Sequence, residues 1–152
     1  MIPDLIDLGN PTPYRVLPPG IHPTHLKEIQ DKYAYTPHRQ VLFDGFCRAT
    51  TVLRSAGCNL VYLNGSFTTE KNHPNDFDAC WELAGVDPNK LDPVLLDFKN
   101  KRAAQKAEYG GELFISGAQA ALGINFVDFF QTDRFSGRRK GILSVQLAKS
   151  AV

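Results

Sequence analysis

At Gly57 the hydrophobic period of this chain changes, and that switch narrows the possible folds more than any other feature. Upstream, in "TPHRQVLFDGFCRATTVLRSAGC", Val41, Leu42, Phe46, Ala49 and Leu53 recur three and four residues apart. That is the spacing of one helix face. Thr36 can cap the helix, Pro37 fits its first turn, and Gly57 can end it. Downstream, "LVYLN" (60–64) and "DFDACWEL" (76–83) are short runs with strand character, and Gly65 stops the first. A long amphipathic helix followed at once by short strands needs a sheet under its apolar face. The expected class is α/β, a mixed sheet with helices packed mainly on one side.

The remaining segments fill in that plan. "HPTHLKEIQDKY" reads as a short helix opened by Pro23 or Thr24, and "DPNKLDPVLLDFKNKRAAQKAEYG" as a turn or short helix, then a helix over about 95–109. "ELFISGAQAALG" begins with a short strand or continues the helix. "NFVDFF" (125–130), rich in aromatics, is predicted as a strand, "QTDRFSGRRKG" as a turn, and "ILSVQL" (142–147) as the strand that pairs back in a hairpin. Five of the ten prolines, Pro3, Pro11, Pro13, Pro18 and Pro19, fall in residues 1–20. Proline fixes φ and lacks a donor, so this stretch reads as an extended arm. Residues 21–152 then form a single domain, and a chain of 152 residues is long enough to build a core unaided.

Charge and cysteine usage exclude some classes. The net charge of +1 gives no global bias toward nucleic acid or an anionic membrane. Cys47, Cys58 and Cys80 are odd in number and lie in apolar surroundings. They read as reduced core thiols, hence a cytoplasmic protein. No CxxC pair, signal-peptide pattern or membrane-spanning apolar run is evident, so no membrane partner is expected.

The stretch "VYLNGSFTTEKNHPNDFDACWEL" carries the chemistry. Side chains alternate along a strand, so Asp76 and Asp78 share a face and Phe77 takes the other. Two carboxylates one pleat apart repel unless a cation lies between them. Mg²⁺ suits that place, because it takes oxygen ligands from one or two carboxylates and from substrate phosphates. Gly65 has no Cβ and allows a phosphate close to its backbone; Ser66 adds a hydroxyl and an N–H. Together they form a phosphoryl-transfer constellation. The other reading makes Asp76 a turn residue after Asn75 and Asp78 the exposed side of an edge strand.

"LNGSFTTEKNHPNDFDACW" resembles the signature of the nucleotidyltransferase superfamily that includes DNA polymerase β. That signature is an apolar strand ending in Gly-Ser, a spacer, and Asp-x-Asp on the next strand. Nine residues, Phe67 to Asn75, separate Ser66 from Asp76 here. The resemblance covers about residues 40–147. "LPPGIHPTHLKEIQ", "GSFTTEKNHPNDFD" and "FVDFFQTDR" look like a bacterial family of small proteins of unknown function, from Leu17 onward.

The superfamily resemblance implies a third carboxylate on a neighbouring strand, and Asp128 in "NFVDFF" is the candidate, with Asp97 and Asp133 behind it. It implies Mg²⁺ or Mn²⁺ held by Asp76, Asp78 and Asp128, with a nucleoside triphosphate held by Gly65 and Ser66. Lys71, in the loop between, is placed to reach that triphosphate or else to lie in solvent. The acceptor would be an RNA or tRNA end, a protein or a small molecule, because a templated polymerase needs further domains. Small members of the superfamily also occur in toxin–antitoxin and phage-defence pairs.

The competing reading is a catalytically silent module, for instance an antitoxin. Its arm, with Ile2, Leu5, Ile6, Tyr14, Val16 and Leu17, would lie in a partner's groove, pack on its own domain or form a homodimer. The bases of "KNKRAAQK" and "GRRKG" read as solvated. His22 and His25 read as capping or surface residues, and Trp81 as core. Cys80 also reads as core, on the face of the acids.

Overall fold

A computed structural model describes residues 1–147. In chain order its elements are β1 (Gly20–Thr24), α1 (Leu26–Tyr33), α2 (Pro37–Ser55), β2 (Leu60–Asn64), β3 (Phe77–Trp81), α3 (Lys99–Tyr109), β4 (Gly111–Ile115), β5 (Gln119–Ala121), β6 (Ile124–Asn125), α4 (Phe126–Phe130) and β7 (Gly141–Gln146). Single 3₁₀ turns at Ser66–Thr68 and Pro93–Leu96 complete the list. Five strands form one sheet in the order β1-β7-β2-β3-β4, and β5-β6 is a separate two-stranded ribbon. The outer pairs β1–β7 and β3–β4 are parallel; the inner pairs β7–β2 and β2–β3 are antiparallel. The architecture is the expected mixed α/β sheet.

Helix α2 forms where its periodicity predicts. Thr36 caps it by accepting from the Arg39 N–H at 3.1 Å, Pro37 opens its first turn, and Leu42, Phe46, Ala49 and Leu53 are buried. They pack on Val61, Leu63, Phe77, Ala79, Trp81, Leu113 and Leu143, the residues that alternate toward one side of the sheet. Gly45 has no room for a side chain: a Cβ there would lie 1.8 Å from the Tyr109 carbonyl oxygen, so α2 and the end of α3 touch backbone to backbone. Trp81 is core, as expected. Cys47, Cys58 and Cys80 are all free thiols.

Four segments differ from expectation. A helix is expected to open at Pro23 or Thr24; instead residues 20–24 form edge strand β1, in which Pro23 stands opposite Ser144 in a parallel register. Proline is tolerated there because an edge strand leaves half its N–H groups unpaired; α1 starts only at Leu26, capped by His25. Residues 126–130, read as a strand, form the single-turn helix α4. The Asn125 side chain caps it by accepting from the Asp128 N–H at 2.9 Å. Strand β7 therefore has no hairpin partner there and inserts between β1 and β2. The helix expected over 95–109 is interrupted: Asn100, Lys101 and Arg102 have left-handed backbone, with φ of 52°, 56° and 61°. Such residues cost roughly 1–2 kcal/mol each, and the right-handed helix proper begins after them.

The N-terminal arm folds onto its own domain. Ile2, Val16 and Leu17 are buried, and Ile6 and Val16 exchange backbone hydrogen bonds of 2.7 and 2.9 Å. The arm residues proposed to enter a partner's groove are thus largely spent on this chain. No helix among the described residues is long and apolar enough to cross a membrane.

Candidate active site

The sheet face opposite α1–α3 carries the polar residues. Alternation places Asn64 of β2, Asp78 of β3 and Glu112 of β4 on that face, in register: Asn64 stands opposite Asp78, and Asp78 opposite Glu112. A cavity of about 810 Å³ opens over them. Gly65, Ser66, Lys71, Asp76, Asp78 and Glu112 all reach its wall, as does Lys140 from the residue before β7.

Gly65 is fixed by two constraints. Its φ of 90° with ψ of −171° belongs to the region that only glycine occupies readily. A Cβ at this position would also lie 2.9 Å from Asp78 Oδ2 and 3.1 Å from the Asp78 N. The missing side chain makes room for the second acid, a reason for glycine that spacing alone does not reveal.

The loop after Gly65 is held from behind by Arg39. This residue of α2 is fully buried, yet among the described residues no carboxylate bonds to it. Its guanidinium donates to the carbonyls of Phe67 (2.7 Å), Thr69 (2.8 Å), Lys71 (2.7 Å) and Tyr33 (3.1 Å). Three of these four acceptors belong to the loop joining Ser66 to Asp76. A buried charge is costly unless it is hydrogen-bonded; both terminal nitrogens of Arg39 are paired twice while its Nε is without a partner among the described residues, so the loop carbonyls supply most of what holds the cation.

The acids interact strongly. Burial, first, and then the charges of Asp76 and Glu112 push the Asp78 carboxyl up to about 7; a hydrogen bond with Glu112 acts in the same direction and Lys140 opposes it. Two carboxyl groups can share a hydrogen bond only if one holds a proton. Asp76 is raised as well, by burial and then by Glu112, against the pull of Lys106 and Lys71. Glu112 Oε1 accepts from Arg102 Nη2 at 2.9 Å and meets Lys106 Nζ at 3.2 Å. The left-handed turn at the start of α3 brings Arg102 to this contact. Lys140 is nearly buried and donates to Asn64 Oδ1. Burial pulls its ammonium down to about 8, although Asp78 and Asp133 work the other way.

Among the described residues no group of three His, Cys, Asp or Glu is already set to hold a metal ion. The donor chemistry nevertheless fits a hard dication. Asp76, Asp78 and Glu112 offer only carboxylate oxygens, on one cavity wall, beside a glycine that clears space at Asp78.

Asp128 is not part of this group. It sits on α4, exposed to solvent and away from the cavity wall. The aromatic run around it suggested a strand, but the Asn125 cap turns the segment into a helical turn. Glu112 occupies the place beside Asp78 that a third acid on the neighbouring strand would have. Its signal was the alternation in "GELFI" after Gly110, a left-handed glycine that closes α3. Asp97 accepts from the Lys99 N–H at 3.1 Å in a turn. Asp133 is buried at the cavity rim, where it accepts from Thr12 Oγ1, Ser136 Oγ and the Ser136 N–H. Burial works against its charge, but these hydrogen bonds outweigh it and hold the carboxyl below its usual range. His22 Nε2 bonds the Pro18 carbonyl and His25 Nδ1 accepts from the Glu28 N–H, so both have structural partners. Cys80 lies on the face of the acids but is fully buried under α4. Lys140, expected in a solvated turn, is buried instead.

Over residues 10–146 the chain matches a family described as "Family of unknown function (DUF6932)". No curated protein and no solved structure matches it.

Proposed function

The chain belongs to this family of unknown function, and from its site we propose that it is a metal-dependent nucleotidyltransferase, moving a nucleoside monophosphate from a triphosphate to a hydroxyl acceptor. One observation carries the reading: Asp78 lies in register with Glu112 on the next strand, while Gly65, at the end of the strand before, leaves the space its carboxyl fills. Asp76, Asp78 and Glu112 would hold Mg²⁺ or Mn²⁺. When bound, that ion neutralises triphosphate charge and favours the alkoxide form of the acceptor.

The chain's own groups supply the rest. The Ser66 hydroxyl and the backbone at Gly65 would hold phosphate oxygens, and Lys71 and Lys140, both in the cavity lining, would offset phosphate charge. Arg39 keeps the Ser66 loop in one shape, so little ordering remains to be done on binding. In the transfer, the acceptor O–H bond breaks as a bond forms from that oxygen to the α-phosphorus. The bond from the α-phosphorus to the bridging oxygen breaks, and pyrophosphate leaves. The proton passes to a carboxylate of the cluster. The acceptor would be an RNA end, a protein or a small molecule.

The test is transfer of label from an α-³²P nucleoside triphosphate, with Mg²⁺ or Mn²⁺, to acceptors in a cell extract. The parent should label an acceptor, and Asp78→Asn and Glu112→Gln should each lose at least 100-fold. Asp128→Asn should retain parental labelling. Absence of labelling by the parent with any nucleotide, or full activity in Glu112→Gln, would count against the reading.

A further inference from the structure

We infer that the aromatic wall of the cavity is a nucleobase-stacking subsite, and that the N-terminal arm helps to build it. The inference rests on the nucleotidyltransferase reading of the acidic end. It starts from aromatic surface that the fold does not use. Phe129 and Phe135 are 46% and 37% exposed, and both line the cavity that holds Asp78. Neither belongs to either hydrophobic core cluster. Tyr14, from the arm, is the third such ring on this wall. Its ring meets Phe135 edge to face, with centroids 5.9 Å apart and an interplanar angle of 88°.

The wall is fixed in advance. The arm is latched to the loop before β7: Thr12 Oγ1 donates to Asp133, which also takes the Ser136 N–H at 2.9 Å, and Arg138 donates to the Leu8 carbonyl. Phe129 leans on Phe130, whose ring packs against Phe114 and Phe126. The Arg134 guanidinium lies 5.1 Å from the Phe135 ring centre, a cation over a π-face. Rigid half-exposed rings offer flat apolar contact at little entropic cost. The one cavity thus carries both kinds of surface a nucleotide needs: acids, lysines and a Gly-Ser turn for phosphate and metal, and half-exposed rings for a flat base. Stacking reads the face of a base rather than its edge, so discrimination among bases is weak, with purines ahead of pyrimidines by area.

The base has two possible sources, the donor nucleotide or the end of an RNA acceptor, and calorimetry on the full chain separates them. The probes are ATP, inorganic tripolyphosphate and a short single-stranded oligoribonucleotide, each with Mg²⁺. Stacking on one ring is worth about 1–3 kcal/mol, which is roughly a 5- to 150-fold change in affinity. ATP should therefore bind at least 5-fold more tightly than tripolyphosphate. Phe129→Leu and Phe135→Leu, which keep apolar volume but remove the rings, should erase that advantage without changing tripolyphosphate affinity. Phe129→Trp should restore it. If ATP has no advantage but the oligoribonucleotide loses affinity in the Leu variants, the subsite stands and its base comes from the acceptor. If tripolyphosphate binds, ATP binds no more tightly, and the oligoribonucleotide is insensitive to the variants, the subsite is refuted and the phosphate end survives. If neither phosphate ligand binds, the nucleotidyltransferase reading fails and the subsite proposal fails with it.

Discussion

The two faces of the central sheet use the same strands for opposite purposes. On the helix side, Val61, Leu63, Phe77, Ala79 and Leu113 are fully shielded from water. On the other side, one pleat away, Asn64, Asp78 and Glu112 bring polar and charged groups to a cavity that aromatics also line. The difference shows how a period of two keeps the two tasks apart. A change at an odd-numbered residue of β3 disturbs packing; a change at Asp78 relieves repulsion between acids. Sites of this kind usually give up stability for function.

The largest effect should come from the packed side. Phe77→Ala removes a ring that contacts Phe46 at a centroid distance of 5.4 Å. It should cost about 3–5 kcal/mol, read as a lower midpoint in urea with an unchanged slope. Gly65→Ala sits between the faces and should cost about 1–3 kcal/mol, from its positive φ and its contact with Asp78. It should also abolish nucleotide binding. Equal stability of parent and variant would show that the turn can relax and that the two faces are less coupled than described.

On the charged side the expected sign reverses. Asp78 gains its proton near pH 7 in the folded state, far above an unfolded aspartate, so the folded state binds more protons across that interval. Its contribution to stability should therefore fall as pH rises from about 4 to about 7. Lys140 is depressed to about 8, so the folded state binds fewer protons than the unfolded between about pH 8 and 10.4, and stability should rise there. The two slopes together predict a local minimum near pH 7–8, visible in urea midpoints measured across pH. Asp78→Asn should flatten the acid slope and leave the protein at least as stable as the parent at pH 8. A variant that is less stable at every pH would mean that Asp78 is a structural aspartate. The smallest effect should be that of Asp128→Asn, within about 0.5 kcal/mol in stability.

How much of this was legible in the sequence depended on distance along the chain. Helix α2, strand β2, the Gly65 turn and the acids after it are local patterns, written within some forty residues. Glu112 lies opposite Asp78 only because a crossover of some thirty residues returns the chain parallel to β3, and that register has no local signature. Asp128 sat in a run whose aromatics favour strand, but one capping asparagine and the burial of Phe130 decided for a helical turn. Strand β1 was hidden by Pro23, since a proline argues against a strand except at an edge. Lys140 looked like its neighbours Arg138 and Arg139, which are exposed; burial of one base in three comes from tertiary position.

Arg39 has a consequence for how the molecule breathes. Amide hydrogens in surface loops usually exchange with solvent through small local openings, whereas core amides wait for the whole domain to unfold. The segment from Phe67 to Lys71 is tied by three carbonyls to a guanidinium at the base of α2, so lifting it would strip a buried cation of most of its partners. Its protected amides, such as those of Thr68 and Thr69, should therefore exchange at the slow rate of Leu63 and Phe77, making this loop part of the global folding unit.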